Sequence, residues 1–152
     1  MQSGGMIREM DIPPLWLGLA LLASWALAQV WAVPGAEGFG AALVLAGVAM
    51  MGLAVGGMVL ARTAFVPRRD PTALVTGGLF RISRNPIYLA DAMILAGAIL
   101  WWGAVLALPL VPLFMVWITR RYIRDEEARL RAGFGAQYDA WATQVPRWLW
   151  RF

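Results

Sequence analysis

Residues 76–88 read Thr-Gly-Gly-Leu-Phe-Arg-Ile-Ser-Arg-Asn-Pro-Ile-Tyr, and here the chain passes from its longest polar stretch into a long apolar run. Gly77 and Gly78 let the backbone turn or approach a ligand closely. Arg81 and Arg84 put two permanent cations at the mouth of the run. Asn85 stands where a helix N-cap is expected. Pro86 suits the first helical turn, where a missing N–H is harmless. Tyr88 follows one turn in, with its hydroxyl near the water boundary. Together these residues read as the start of a membrane helix with a basic flank.

The composition agrees. Of 152 residues, 61% are hydrophobic and 14% charged, and the mean hydropathy is +0.64. That is too apolar for an ordinary soluble domain. The question becomes how often the chain crosses a bilayer, at roughly 20 apolar residues per crossing. Net charge is +4, and all 13 basic residues are arginine, with no lysine, histidine or cysteine. The absence of cysteine removes disulfides, thiol nucleophiles and cysteine metal sites. The absence of histidine removes the commonest general base and metal ligand, and no metal site is expected. Chemistry must therefore rest on carboxylates, arginine, tyrosine, amides and a bound cofactor. A pI of 10.6 suits nucleic acid in a soluble protein. In a membrane protein basic cytoplasmic loops explain it better, so the expected partner is the bilayer and no nucleic acid.

Working outward, Pro13-Pro14 open a first apolar run that reaches Val33, after a polar segment where Glu9 and Asp11 offset Arg8. Ala26-Leu27-Ala28 resembles a signal-peptide cleavage site, but the run continues to a length fit for spanning. A turn at 34–38 carries no arginine. The second run, Phe39 to Ala61, is rich in glycine, which lets helices pack closely in lipid. The stretch 62–85 holds Arg62, Arg68, Arg69, Arg81 and Arg84, with Pro67 and Pro71 between them. A polar connection of that length more often signals function than slack. The third region, Ile87 to Thr119, is too long for one upright span, and Trp101-Trp102-Gly103 divides it into a hairpin. Pro109 and Pro112 predict a kink in its second helix. Beyond it, Leu130, Phe134, Tyr138 and Trp141 recur at helical spacing. They predict one amphipathic helix lying on the membrane surface or packing over the bundle, weakened by Gly133 and Gly135.

The expected fold is an all-α integral membrane protein in one domain. It has about four transmembrane helices, near 14–33, 39–61, 86–101 and 104–121, plus a C-terminal interfacial amphipathic helix. No arginine lies at 34–38 or 101–103. Four spans with both termini in the cytoplasm therefore put every arginine inside, together with the loop 62–85 and the tail 122–152. Trp31, Trp101 and Trp102 mark the outer interface, and Trp16, Trp148 and Trp150 the inner one.

This arrangement brings 76–88 and the tail to one face. Glu126-Glu127 beside Arg120, Arg121 and Arg124 reads by composition as a solvated charge cluster. Asp91 differs: it lies inside an apolar helix, where a carboxylate is costly and usually faces the bundle interior. Helical spacing puts Tyr88 and Asp91 on one face. Pairing with a nearby arginine and a functional role both remain open for Asp91.

The run Gly78-Leu-Phe-Arg-Ile-Ser-Arg84-Asn85-Pro86-Ile-Tyr88-Leu resembles a known pattern when followed by a hairpin, Glu126-Glu127, Phe134-Gly135-x-x-Tyr138-x-x-Trp141 and Val145-Pro146-Arg147-Trp148. It is similar to the isoprenylcysteine carboxyl methyltransferase and phospholipid N-methyltransferase superfamily, over about Arg62 to Trp148. The resemblance implies a small helical membrane bundle binding S-adenosylmethionine at its cytoplasmic side. It implies Gly78, Arg81, Arg84, Asn85, Pro86, Tyr88, Glu126, Glu127, Tyr138 and Trp141 as cofactor-binding residues. Arg84, Asn85, Tyr88 and Asp91 are the expected catalytic set. Better-known members carry histidine where this chain has Asn85, which cannot titrate. The asparagine-bearing branch is bacterial, which implies the bacterial inner membrane. The expected activity is methyl transfer to a lipid-soluble or membrane-embedded acceptor, a carboxylate, an amine or a phospholipid headgroup. The rivals are a sterol-reductase-like membrane reductase using NADPH and a non-catalytic membrane interaction protein.

Overall fold

The structure is a computed structural model that describes residues 12–63 and 71–150. The readings placed on Arg8, Glu9, Asp11, Pro67, Arg68 and Arg69 lie outside the described residues. Among the described residues every regular element is helical. The helices are α1 (Pro13–Val30), α2 (Glu37–Leu60), α3 (Pro86–Trp101), α4 (Leu110–Ile118), α5 (Arg124–Phe134) and α6 (Ala136–Gln144). Short 3₁₀ turns stand at Gly78–Arg81 and Val105–Ala107, and a π turn at Thr119–Ile123 carries α4 into α5. This is an all-α membrane protein.

Three helical stretches are long and apolar enough to cross a bilayer: α1, α2 and the continuous run Val105–Phe134. At 16 residues α3 is shorter, about 24 Å at 1.5 Å per residue. It lies inside the bundle and not against lipid, since ten of its sixteen residues are buried. Leu89, Leu95 and Ile99 of α3 form the main core with Phe114, Ile118 and Tyr122. The outer faces of α1 and α2 expose Leu19, Leu22, Leu45 and Leu53, as lipid-facing surfaces do.

The closest approach is between α2 and α3. A Cβ on Gly97 would lie 2.7 Å from the Gly40 carbonyl oxygen and 2.8 Å from the Val44 nitrogen. Only glycine lets these backbones touch. At one end of the bundle the Val33 N–H donates to the Gly103 carbonyl at 2.8 Å, tying the α1–α2 turn to the turn after α3. Gly103 takes a positive φ of 70° there, open to glycine at little cost.

Three local expectations are corrected. Pro109 and Pro112 make no mid-helix kink: Pro109 is the N-cap of α4 and Pro112 sits in its first turn, where prolines lose little. They follow the 3₁₀ turn at Val105–Ala107, and a second irregularity is the π turn. The amphipathic stretch 124–144 is two helices, because Gly135 adopts φ 50° and ψ −125° between α5 and α6. Its apolar residues pack over the bundle: Tyr138 and Trp141 join Phe80, Ala54 and Val145 in a second core, with Leu130 and Phe134 against them. Asn85 holds the N-cap position of α3 but its side chain makes no capping bond.

Candidate active site

That side chain is used elsewhere. The Asn85 Nδ2 donates to the Arg147 carbonyl at 3.0 Å, and the Ser83 hydroxyl donates to the same oxygen at 3.1 Å. The Arg84 N–H donates to the Pro146 carbonyl at 2.9 Å. Three consecutive residues before α3 thus stitch the tail to the bundle. Ser83 is 1% exposed, so leaving its hydroxyl without a partner would be costly.

Glu127 reinforces the stitch. Its carboxylate accepts from Arg147 Nε at 2.9 Å and Nη2 at 2.5 Å, and pairs with Arg84 Nη2 at 3.1 Å. The Glu127 and Arg84 side chains are 14% and 15% exposed. A bidentate guanidinium–carboxylate pair of this kind fixes geometry as well as charge. The hydrogen bonds to Glu127 raise the Arg147 guanidinium above the ordinary arginine value.

Beside this clamp lies a cavity of about 420 Å³, within the range of small-molecule sites, roughly 300–1,000 Å³. Its walls come from α1, α2, α3, α5, α6 and the stretch around residues 71–75, and most of its lining is apolar. The polar groups are few and gathered on the α3–α5 side: Arg84, Asn85, Tyr88, Asp91, Glu126 and Arg129. The Tyr88 hydroxyl donates to Glu126 Oε1 at 2.7 Å, joining α3 to α5 across the cavity wall. Asp91, one turn deeper, is 5% exposed and has no hydrogen bond or ion pair among the described residues. Among the described residues two guanidinium nitrogens are buried without a hydrogen-bond partner, Arg84 Nε and Arg129 Nη1, and both residues line this cavity.

The expected site residues therefore divide. Arg84, Asn85, Pro86, Tyr88, Asp91, Glu126 and Trp141 line the cavity. Trp141 is fixed there by donating its Nε1–H to the Phe80 carbonyl at 3.1 Å. Glu127 stands outside it in the clamp. Gly78 and Arg81 are exposed in the turn before α3 and do not line it. Tyr138 lies behind Trp141, edge-on at 5.9 Å, with Arg131 over its ring at 5.3 Å. Burial raises its phenol above the ordinary tyrosine value. Arg129 was not singled out by sequence, although its spacing of three from Glu126 is the signal that puts both on one helix face.

The profile of the phospholipid methyltransferase family matches residues 31–137. The chain belongs to the phospholipid methyltransferase family. No characterised protein and no solved structure gave a match. The matched region begins at the end of α1 and runs into α6, so it contains the clamp's Arg84 and Glu127 and nearly all the cavity's polar groups. As a family member the protein is a membrane methyltransferase, and its apolar helices and apolar cavity accord with a lipid or membrane substrate.

Proposed function

We propose that this protein transfers a methyl group from S-adenosylmethionine to a lipid-soluble or membrane-embedded acceptor in the cavity between α3 and α5. The observation that carries the reading is a compact polar set on one wall of an otherwise apolar cavity, at the end of the bundle. The donor chemistry fits the cofactor. Buried N–H groups without partners call for an acceptor, and guanidinium groups favour a carboxylate. Arg84 Nε and Arg129 Nη1 are such donors, suited to the amino-acid end of the cofactor. Glu126 suits the ammonium or the ribose hydroxyls, and Trp141 offers an aromatic face to the adenine or the sulfonium. When bound, S-adenosylmethionine supplies an electrophilic methyl group on a cationic sulfur.

The chain's own residues then align the two partners and keep water out, which is most of what methyl transfer requires. Tyr88 holds Glu126 at 2.7 Å and so sets its orientation. Asn85 keeps the tail closed over the site through the Arg147 carbonyl, a role that needs a hydrogen bond and no titration. Asp91 faces the acceptor, where it orients an amine or takes its proton. The apolar walls from α1 and α2 receive the acceptor's hydrocarbon part.

Thermal stability of the detergent-solubilised protein tests the cofactor. S-adenosylmethionine and its demethylated product should each raise the melting midpoint. A ligand at a hundredfold excess over Kd contributes about 2.7 kcal/mol. Stabilisation by NADPH alone would overturn the reading in favour of a reductase.

The proposed setting is the inner membrane of a bacterium, with both termini and the loop 62–85 in the cytoplasm, because every arginine then lies inside. The chain has no cysteine, so single cysteines at Pro34, Trp101 and Thr72 report cleanly. An impermeant thiol reagent applied to intact cells should label the first two and spare Thr72. The reverse pattern would put the cavity on the wrong side for a cytoplasmic cofactor.

A further inference from the structure

A second cleft, of about 730 Å³, lies on the far side of the clamp, between α4 and the tail. Among the described residues four arginines line it: Arg84, Arg120, Arg124 and Arg147. No carboxylate among the described residues lines it, and Glu127 is already shared between Arg84 and Arg147. Arg120 and Arg124 are exposed and make no ion pair among the described residues. The other end of the cleft is apolar, formed by Pro112, Met115 and Val116 of α4. Val116 is 47% exposed, on a helical run apolar enough to span the bilayer. The cleft is thus amphiphilic along its length, with hydrocarbon-facing side chains at membrane depth and guanidinium groups at the helix end.

We propose that this cleft binds an anionic phospholipid of the surrounding leaflet, separately from the methyl-transfer cavity. The phosphate sits among Arg120, Arg124 and Arg147, and an acyl chain lies along Met115 and Val116. Guanidinium forks match phosphate oxygens in geometry and charge. Basic pockets at the membrane-facing ends of helices are suited to lipid headgroups, with each cation worth about 1 kcal/mol near an anionic surface. A free anion would use only the cationic end, whereas a lipid uses both. None of Tyr88, Asp91 or Glu126 lines this cleft, and Arg84, common to both, already gives its Nη2 to Glu127. Through Arg84 and Arg147 it touches the clamp beside the other cavity, which gives the lipid a structural purpose.

Native mass spectrometry of the full, delipidated protein in detergent tests this. Phosphatidylglycerol and phosphatidylcholine with identical acyl chains are titrated separately. Both lipids carry the phosphodiester, but only choline adds a cation for the guanidinium groups to repel, so phosphatidylglycerol should be retained about tenfold more tightly or better, tenfold being about 1.4 kcal/mol where each cation is worth about 1. Arg120→Gln with Arg124→Gln should abolish that preference. Both side chains are exposed and unpaired among the described residues, so the double variant should keep its melting midpoint, and each single variant should lose part of the preference. Arg131→Gln, which removes an equal charge from the exposed pair with Asp139, should leave it intact. Equal retention of the two lipids, or an undiminished preference in the folded double variant, would overturn the proposal. Displacement of phosphatidylglycerol by inorganic phosphate at comparable concentration would assign the cleft to a free anion and overturn it as well.

Discussion

Glu127→Ala should loosen the tail from the bundle and cost the protein about 3 kcal/mol, the low end of the range for breaking a buried ion pair. The low end applies because the Arg147 side chain is 35% exposed, so water screens part of the loss. Without Glu127, the Arg84 and Arg147 guanidinium groups are left facing each other across the place the carboxylate occupied. Repulsion then acts on the Arg84 N–H to Pro146 bond and on the two bonds to the Arg147 carbonyl. The melting midpoint in detergent should fall, and protease should cleave the tail sooner. Glu126→Gln makes the comparison informative. It preserves the shape beside Tyr88 and should leave stability nearly unchanged, while weakening cofactor binding by roughly ten- to a hundredfold. Two neighbouring glutamates would thus fail in different ways. A Glu127→Ala protein as stable as the parent would show that the clamp is a surface pair of little consequence.

Asp91→Asn should lower turnover by about 10²- to 10⁴-fold, the usual range for a lost general acid–base group. Cofactor affinity should be nearly unchanged. A carboxylate in the interior of a membrane bundle is expensive, and one without a hydrogen bond or ion pair among the described residues has no structural partner to justify it. Its place deeper than Tyr88 and Glu126, in a cavity that is otherwise apolar there, suits a group that meets the acceptor. The substitution keeps the volume and removes the charge, so it separates chemistry from packing. A folded variant that no longer binds cofactor would reassign Asp91 to the cofactor. Unchanged turnover would leave it a structural residue.

The fold class was legible because it rests on bulk properties: apolar runs long enough to span and arginines confined to a few segments. The start of α3 was legible because Asn85-Pro86 after a glycine-bearing turn has few other readings. What sequence could not divide was the Glu126-Glu127 pair. Adjacent residues on a helix point about 100° apart, and which one meets the cavity depends on how α5 is rotated against α3. That rotation is set after the π turn at Thr119–Ile123, a feature with no sequence signal as plain as a proline. Asn85 shows the same limit. Its position was predicted by capping rules, but its side chain answers to the Arg147 carbonyl, 62 residues away. Arg129 carried only its spacing of three from Glu126 as a sign, and its buried nitrogen without a partner is a property of the packed helices. The break at Gly135 was foreshadowed by glycine, though periodicity alone carried the helix through it.

Methyl transfer is tested by following the methyl group itself. Membranes containing the protein are incubated with S-adenosylmethionine labelled in its methyl group, then extracted with organic solvent. Label should appear in the lipid-soluble fraction, above membranes lacking the protein, and near background in Asp91→Asn. A folded protein that binds S-adenosylmethionine yet transfers no label to any extractable or membrane-embedded acceptor would contradict it.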